Sequence, residues 1–180
     1  SASIQSVTTN IYGHDGLLGS QVPIAVGACY ANRKPTICFA GDAAMEEDYA
    51  LAGLGWAGTH KLPILFIVED NNLSVLTEKK VRRSWDIVDV ARGFWLNSGS
   101  SSDDPDTLYA GLPQLKYWPA LINVPTTRLR WHAGAGMDDP NAFDRHKEVG
   151  NQFDGFDVAI QTRHKCENIV RRSWQNFFIS

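Results

Sequence analysis

The feature that most constrains the fold is Ile64–Val68, a run of consecutive apolar residues between Pro63 and Glu69. A run this short does not make a core helix, and its lack of polar alternation predicts a strand buried on both faces. Thr36–Ala40 and Ala120–Val124 have the same character and predict two further strands. Strands of this kind belong to the interior of a parallel sheet.

Helical patterns separate the predicted strands. We expect helices from about 20 to 31, 45 to 58 and 85 to 92, and another from 158 onward. Residues 98–106 predict a surface loop, with Asp106 as the cap of a following helix. Helices between short buried strands predict an α/β fold, in which a parallel sheet is covered by helices on both faces.

Composition narrows the class of protein. With 180 residues, we expect a single domain over 1–180, in which 141–180 is a C-terminal helical extension. The net charge of −3 gives no electrostatic reason for a nucleic-acid or membrane partner, and no apolar run approaches a bilayer-spanning length. Cys29, Cys38 and Cys166 have no metal-ligand spacing, so they predict buried, reduced thiols in a cytoplasmic protein.

Two polar clusters follow two of the predicted strands, where parallel sheets bind ligands. Gly41–Ala43 follows the first strand, and Asp70–Asn72 follows the second. Asp42 and Asn72 lie one strand–helix–strand crossover apart, which would bring them side by side. Mg²⁺ prefers oxygen ligands such as these, completed by phosphate and water. Free amides at the start of the following helix would bind the phosphates.

Three segments together resemble a known family. GDAAMEEDY followed by KLPILFIVEDNN resembles the thiamine-diphosphate fingerprint, which starts with Gly-Asp-Gly and ends with Asn-Asn. YGHDGLLGSQVPIAVGACYAN is similar to the preceding turn and helix in alpha subunits of the 2-oxo-acid dehydrogenase decarboxylating component. TTRLRWHAGAGMDDP resembles that family's Arg-containing strand end and its His-Ser loop. The matches run in the same order from about Tyr12 to Pro140 and imply the thiamine-diphosphate-binding fold.

The resemblance implies a metal and diphosphate site. Asp42, the Asn72 side chain and the backbone carbonyl of Ser74 would bind Mg²⁺. The amides of Ala43 and Ala44 would face the diphosphate. Ala43 stands where the family usually has glycine, which is tolerable if its backbone angles are ordinary.

The resemblance also implies the rest of the cofactor pocket. Backbone groups of Gly16 and Leu18 would hold the aminopyrimidine, and Gly41 would belong to the cofactor-binding loop. His132 matches the family's loop histidine, which contacts the diphosphate near the reacting carbon. The loop after it carries extra residues, so His14 is a second candidate for that catalytic role.

The activity implied is thiamine-diphosphate- and Mg²⁺-dependent cleavage or transfer of a C–C bond in a 2-oxo acid or ketone donor. No segment here resembles the pyrimidine-binding domain that supplies the family's catalytic glutamate. We therefore expect a second subunit carrying that domain, in a heterodimer or heterotetramer. The family's long N-terminal region is also missing from this sequence, which predicts either a minimal subunit or a fragment.

Three alternatives stay open at this point. The chain is also compatible with the diphosphate-binding half of a split transketolase or of a two-subunit decarboxylase. A non-catalytic module that keeps the fold and binds a partner is a hypothesis of another class. Asp42 as a phosphatase-like nucleophile ranks lowest, because Ala44 stands where a second acid is expected.

Overall fold

The structure, a computed structural model, describes residues 5–13, 16–111, 118–129, 132 and 141–179, with side chains as far as 172. It divides into two compact units, Ser1–Ala142 and Phe143–Ser180, which are described separately. The prediction of one domain over the whole chain stays a prediction. Within the described residues, no helix has the length and apolar character to cross a membrane.

The first unit is built on a four-stranded parallel sheet. Its strands, in spatial order, are β1 (Thr36–Gly41), β2 (Ile64–Asp70), β6 (Ala120–Pro125) and β5 (Asn97–Ser100). The predicted α/β fold is therefore confirmed. β2 is central and buried along most of its length, as its apolar run requires, while β1 and β5 form the two edges.

Helices precede and connect these strands along the chain. They are α1 (Gln21–Asn32), α2 (Asp48–Thr59), α3 (Lys79–Arg82), α4 (Ile87–Gly93) and α5 (Pro105–Gly111). The core is formed by the apolar faces of α1, α2 and α4 against β1, β2 and β6, with Phe66 and Leu54 fully buried in it.

The helix predicted from about residue 45 begins later and is preceded by a separate turn. Ala44–Glu46 forms a single 3-10 turn, and Glu47 is extended before α2 starts at Asp48. The amide of Glu46 bonds to the carbonyl of Ala43, three residues back, which closes the turn. The loop after β1 is therefore a tight turn and not the first turn of a long helix.

The segment predicted as one surface loop contains a strand and a different cap. Ser98 and its neighbours pair with β6, although small polar residues are poor strand formers, so pairing here overrides propensity. Asp104, and not Asp106, caps α5, because its carboxylate accepts from the amide of Thr107 at 2.9 Å. Pro105 occupies the first helical position, which places the cap one residue before it.

The cysteines are only partly as predicted. Cys29 and Cys38 are buried and unoxidised, and burial raises the pKa of Cys38 to about 12. Cys166 is exposed, so the prediction of a buried thiol was wrong there. It lies on the C-terminal helix, whose described side chains are almost all exposed.

The second unit consists of α6 (Arg145–Gln152) and α7 (Asp157–Ile179). Asp144 caps α6 by accepting from the amide of Lys147 at 2.9 Å. The C-terminal helix predicted from Val158 is present and begins one residue earlier.

Candidate functional site

A cavity of about 460 Å³ opens at the carboxyl end of the sheet in the first unit. It is bordered by the turn before α1, the loop after β1, the loop after β2 and residues that follow β6. Its volume is in the range of small-molecule and cofactor sites, and its position is where parallel sheets bind ligands.

Most of the predicted site residues line this cavity. They are Gly16, Leu18, Gly41, Asp42, Ala43, Ala44, Ser74 and His132. Asn72 does not appear among the lining residues, and His14 lies outside the described residues. The structure places these side chains, and the roles assigned to them stay predictions.

The turn before α1 reaches the loop after β1 because of one glycine. Gly19 has a φ of +81°, and a Cβ atom there would lie 2.7 Å from the carbonyl oxygen of Ala44. Any larger residue would clash with the backbone and strain its own conformation. The Tyr49 hydroxyl, on α2, donates to the carbonyl of Leu18 and fixes the tip of the turn.

The loop after β1 presents Asp42 from a buried position. Asp42 is only 1% exposed, although it borders the cavity. Ala43 has φ −70° and ψ −32°, ordinary right-handed angles, so the condition for tolerating alanine in place of glycine is met. Backbone can thus approach a ligand here without the glycine that the fingerprint usually carries.

Two arginines at the end of α3 pair with acids of this loop. The Arg82 guanidinium lies 2.5 Å from Oδ2 of Asp42 and 2.6 Å from Oε1 of Glu46. Arg83 Nε lies 3.1 Å from the same Glu46 oxygen. No functional role was predicted for Glu46 from the sequence, whereas in the structure it pairs with both arginines. The opposite charges of Glu46–Asp48 and Arg82–Arg83 are visible in the sequence, but nothing there indicates that they meet.

The loop after β2 starts two residues later than predicted. β2 continues through Glu69 and Asp70, so the loop begins at Asn71. Asn71 is half-buried, lines the cavity and accepts from the amide of Leu73 at 2.9 Å. Asn72 is exposed, with a left-handed φ of 65°. From the sequence, Asn71 was placed in the polar cluster Asp70–Asn72 without a role of its own, because the apolar pattern does not show that the strand continues to Asp70.

Asp70 holds the base of this loop. Its Oδ2 accepts from Lys79 Nζ and, at 3.1 Å, from Asn123 Nδ2 on β6, while Oδ1 accepts from the amide of Asn72. Burial opposes ionisation of Asp70. The hydrogen bonds from Lys79, Asn123 and Asn72 outweigh it, so the pKa of Asp70 lies below its ordinary value.

A small hairpin completes the wall of the cavity. It consists of β3 (Leu73–Ser74) and β4 (Thr77–Glu78), joined through Val75, which has a φ of 55°. Arg128, after β6, donates to the carbonyl of Val75 at 2.5 Å and also borders the cavity. In the sequence, Arg128 belongs to the segment that resembles the family's Arg-containing strand end. Its contact with the hairpin was not predicted.

The donor groups around the cavity suit a hard cation and an anion. In the described part of the chain, no group of three His, Cys, Asp or Glu side chains is placed to hold a metal. A cation here would therefore use the Asp42 carboxylate, an asparagine amide and backbone carbonyls, with phosphate and water completing its shell. Arg128 brings positive charge to the same space. The residues present fit a magnesium–diphosphate group.

The fold and this cavity define the class of protein: an α/β domain with a small-molecule site at the carboxyl edge of its parallel sheet. Comparison with known proteins makes this specific. The chain belongs to the dehydrogenase E1 component family, whose profile matches residues 1–109. The predicted resemblance is thereby confirmed.

The relatives include alpha subunits of two dehydrogenases. The pyruvate dehydrogenase E1 component subunit alpha of Rickettsia prowazekii is 30% identical over 176 residues, which cover 87% of this chain and 51% of that protein. The mitochondrial 2-oxoisovalerate dehydrogenase subunit alpha of Bos taurus is 30% identical, with coverage of 87% and 36%. The chain thus spans about half the length of the first relative and a smaller share of the second.

Solved structures agree on the fold. A Mycobacterium smegmatis protein described as a thiamin diphosphate-dependent enzyme matches with a TM-score of 0.55 and 27% identity, over 66% of this chain and 24% of that one. A transketolase of Campylobacter jejuni matches with a TM-score of 0.52 and 21% identity, over 61% and 19%. The second likeness shows the fold alone.

Proposed function

We propose that this chain binds thiamine diphosphate and Mg²⁺ as the alpha-type subunit of an enzyme that cleaves a C–C bond in a 2-oxo acid. The observation that carries the proposal is the cavity itself. It brings the Gly16–Gly19 turn, the loop after β1 and the loop after β2 together, although they are far apart in sequence. Family membership supplies the cofactor class, and both relatives named above act on 2-oxo acids by their names.

The metal would be held between the two loops. Asp42 offers the carboxylate, and an asparagine of the loop after β2 offers its amide oxygen. Asn71 is favoured over Asn72 for this role, because Asn71 borders the cavity and Asn72 is exposed. A backbone carbonyl of Leu73 or Ser74 would complete the protein's share, and the amides of Ala43 and Ala44 would face the diphosphate.

The remaining residues would orient and enclose the cofactor. Gly16 and Leu18 would position its aminopyrimidine, with Tyr49 fixing the carbonyl of Leu18. His132 would contact the diphosphate from the far wall and is the candidate for moving a proton near the reacting carbon. When bound, thiamine diphosphate supplies the electron sink for C–C cleavage.

A second subunit would complete the active site. The two relatives are named as alpha subunits, which implies a partner in each. We propose that the partner of this chain carries the pyrimidine-binding domain and the catalytic glutamate. The assembly would be a heterodimer or heterotetramer.

The test starts with binding and continues with turnover. Calorimetric titration of the full protein with thiamine diphosphate should give saturable binding with Mg²⁺ and none with a chelator. The protein reconstituted with its partner should then decarboxylate 2-oxo acids in the presence of an artificial electron acceptor. Absence of metal-dependent binding would favour the non-catalytic alternative, and ketose transfer without decarboxylation would favour the transketolase type.

A further inference from the structure

Arg82 connects the two loops of the site through all three nitrogens of its guanidinium. Nη2 pairs with Oδ2 of Asp42 at 2.5 Å, Nη1 with Oε1 of Glu46 at 2.6 Å, and Nε donates to the carbonyl of Thr77 at 3.2 Å. Asp42 and Glu46 follow β1, whereas Thr77 belongs to the hairpin after β2. One side chain therefore fixes the relative position of both loops.

The ion pair between Arg82 and Asp42 is largely buried, so a net gain in folding stability does not explain it well. The Arg82 and Asp42 side chains are 12% and 2% exposed. Burying two charges costs about as much as their attraction returns, and such pairs are often replaceable by apolar residues without loss. A planar guanidinium does, however, hold a carboxylate in one orientation far better than apolar packing does.

The two carboxylate oxygens of Asp42 have different surroundings. The ion pair uses Oδ2, and among the described residues no hydrogen bond reaches Oδ1, so Oδ1 is the oxygen available to a cation. Ligating carboxylates in metal sites are commonly oriented in this way by a hydrogen bond to the second oxygen.

We propose that Arg82 is a positioning residue, which aims Oδ1 of Asp42 at the metal and locks the hairpin after β2 against the loop after β1. This inference rests on the proposed function. It has a direct rival, in which the Arg82 cation competes with the metal for Asp42. The two differ in sign, because loss of a positioning residue weakens metal binding and loss of a competitor strengthens it.

The experiment measures Mn²⁺ affinity by the free-Mn²⁺ signal in electron paramagnetic resonance, with thiamine diphosphate present. Arg82→Leu should weaken Mn²⁺ binding by about 10- to 100-fold. Arg82→Lys should restore part of the loss, because an ammonium still reaches one carboxylate. The matched control is Lys80→Met, which removes a positive charge from the same short helix at an exposed position; its affinity should stay within about 2-fold.

A second variant protects the test against misfolding. Glu46→Gln removes one of the two acids that anchor Arg82 and leaves Asp42 intact, so it should weaken Mn²⁺ binding by a smaller factor than Arg82→Leu. Unchanged or tighter Mn²⁺ binding in the folded variants would overturn the positioning role. If the wild-type protein itself fails to bind Mn²⁺ with thiamine diphosphate, the proposed function falls instead, so the two failures are distinguishable.

Discussion

The two loops that border the cavity are held in place by different means. The loop after β1, residues 42–46, is short, largely buried and closed by its own 3-10 turn. The loop after β2, residues 71–78, is mostly exposed and includes two non-glycine residues with positive φ, Asn72 and Val75. Side chains from outside the loop hold it: Arg82 and Arg128 donate to its backbone carbonyls, and Lys79 bonds to Asp70 at its base.

The difference teaches which loop sets the position of a ligand and which one adapts to it. A buried carboxylate in an unstrained turn has few alternatives, so Asp42 is the fixed point of the proposed site. The hairpin after β2 has long-range anchors and strained residues, and such segments have lower local stability. We expect substitution of Asp42 in the first loop to cost more metal affinity than any single substitution in the second loop.

The largest expected effect is at Asp42. Asp42→Asn keeps the size of the side chain but removes the only carboxylate that borders the cavity among the described residues. We expect the affinity for Mn²⁺ with thiamine diphosphate to fall by at least about 100-fold, more than for residues that only orient a ligand. Asp48→Asn, an exposed acid at the start of α2, is the control and should bind as the wild type does.

Next in size is the close approach that joins the turn before α1 to the first loop. Gly19→Ala adds a Cβ atom 2.7 Å from the Ala44 carbonyl at a positive φ. We expect the free energy of unfolding to fall by about 2–3 kcal/mol in denaturant titration. Gly16→Ala, also at positive φ but with open space around it, should cost only about 1 kcal/mol. Equal losses would mean that the contact with Ala44 is unimportant.

A matched pair in the second loop sharpens the comparison. Asn71→Ala should lower metal affinity by about 10-fold, since an amide is a weaker ligand than a carboxylate and the loop can adjust. Asn72→Gly keeps the left-handed backbone, removes the amide and should change affinity by less than about 2-fold. The reverse order, measured by the same Mn²⁺ titration, would return the ligand role to Asn72.

The smallest effect is on stability at low pH. The folded pKa of Asp70 lies below its ordinary value, so ionised Asp70 stabilises the fold above pH about 4, and this contribution disappears as the pH falls through the folded pKa. In wild type, the free energy of unfolding should therefore decline below pH about 4 more steeply than in Asp70→Asn. Parallel pH profiles for the two proteins would show that the Lys79–Asp70 contact does not couple to folding.

The difference between the two loops also explains which site residues could be predicted from the sequence. Asp42, Ala43 and Ala44, which were predicted to bind the metal and the diphosphate, line the cavity because they directly follow the carboxyl end of a parallel strand. Their roles stay predictions. In the second loop the predicted metal ligand was Asn72, whereas the asparagine that lines the cavity is Asn71, one residue earlier. The apolar pattern ends at Val68, but backbone pairing with β6 continues through Asp70.

The long-range contacts of the site could not be predicted from the sequence, for a physical reason. Arg82 lies 40 residues after Asp42, and local patterns carry no information about which charges meet at such separations. The strand β5 was missed because its polar residues form an edge strand through pairing with β6 and not through propensity.

The most direct test of a metal shared by the two loops is a crystal structure of the protein with Mn²⁺ and thiamine diphosphate, with the metal located by its anomalous scattering. We predict a single peak about 2.0–2.3 Å from the Asp42 carboxylate and from an amide oxygen of the loop after β2, with diphosphate oxygens completing the shell. A cofactor bound elsewhere, or a metal peak that contacts only one of the two loops, would contradict the account.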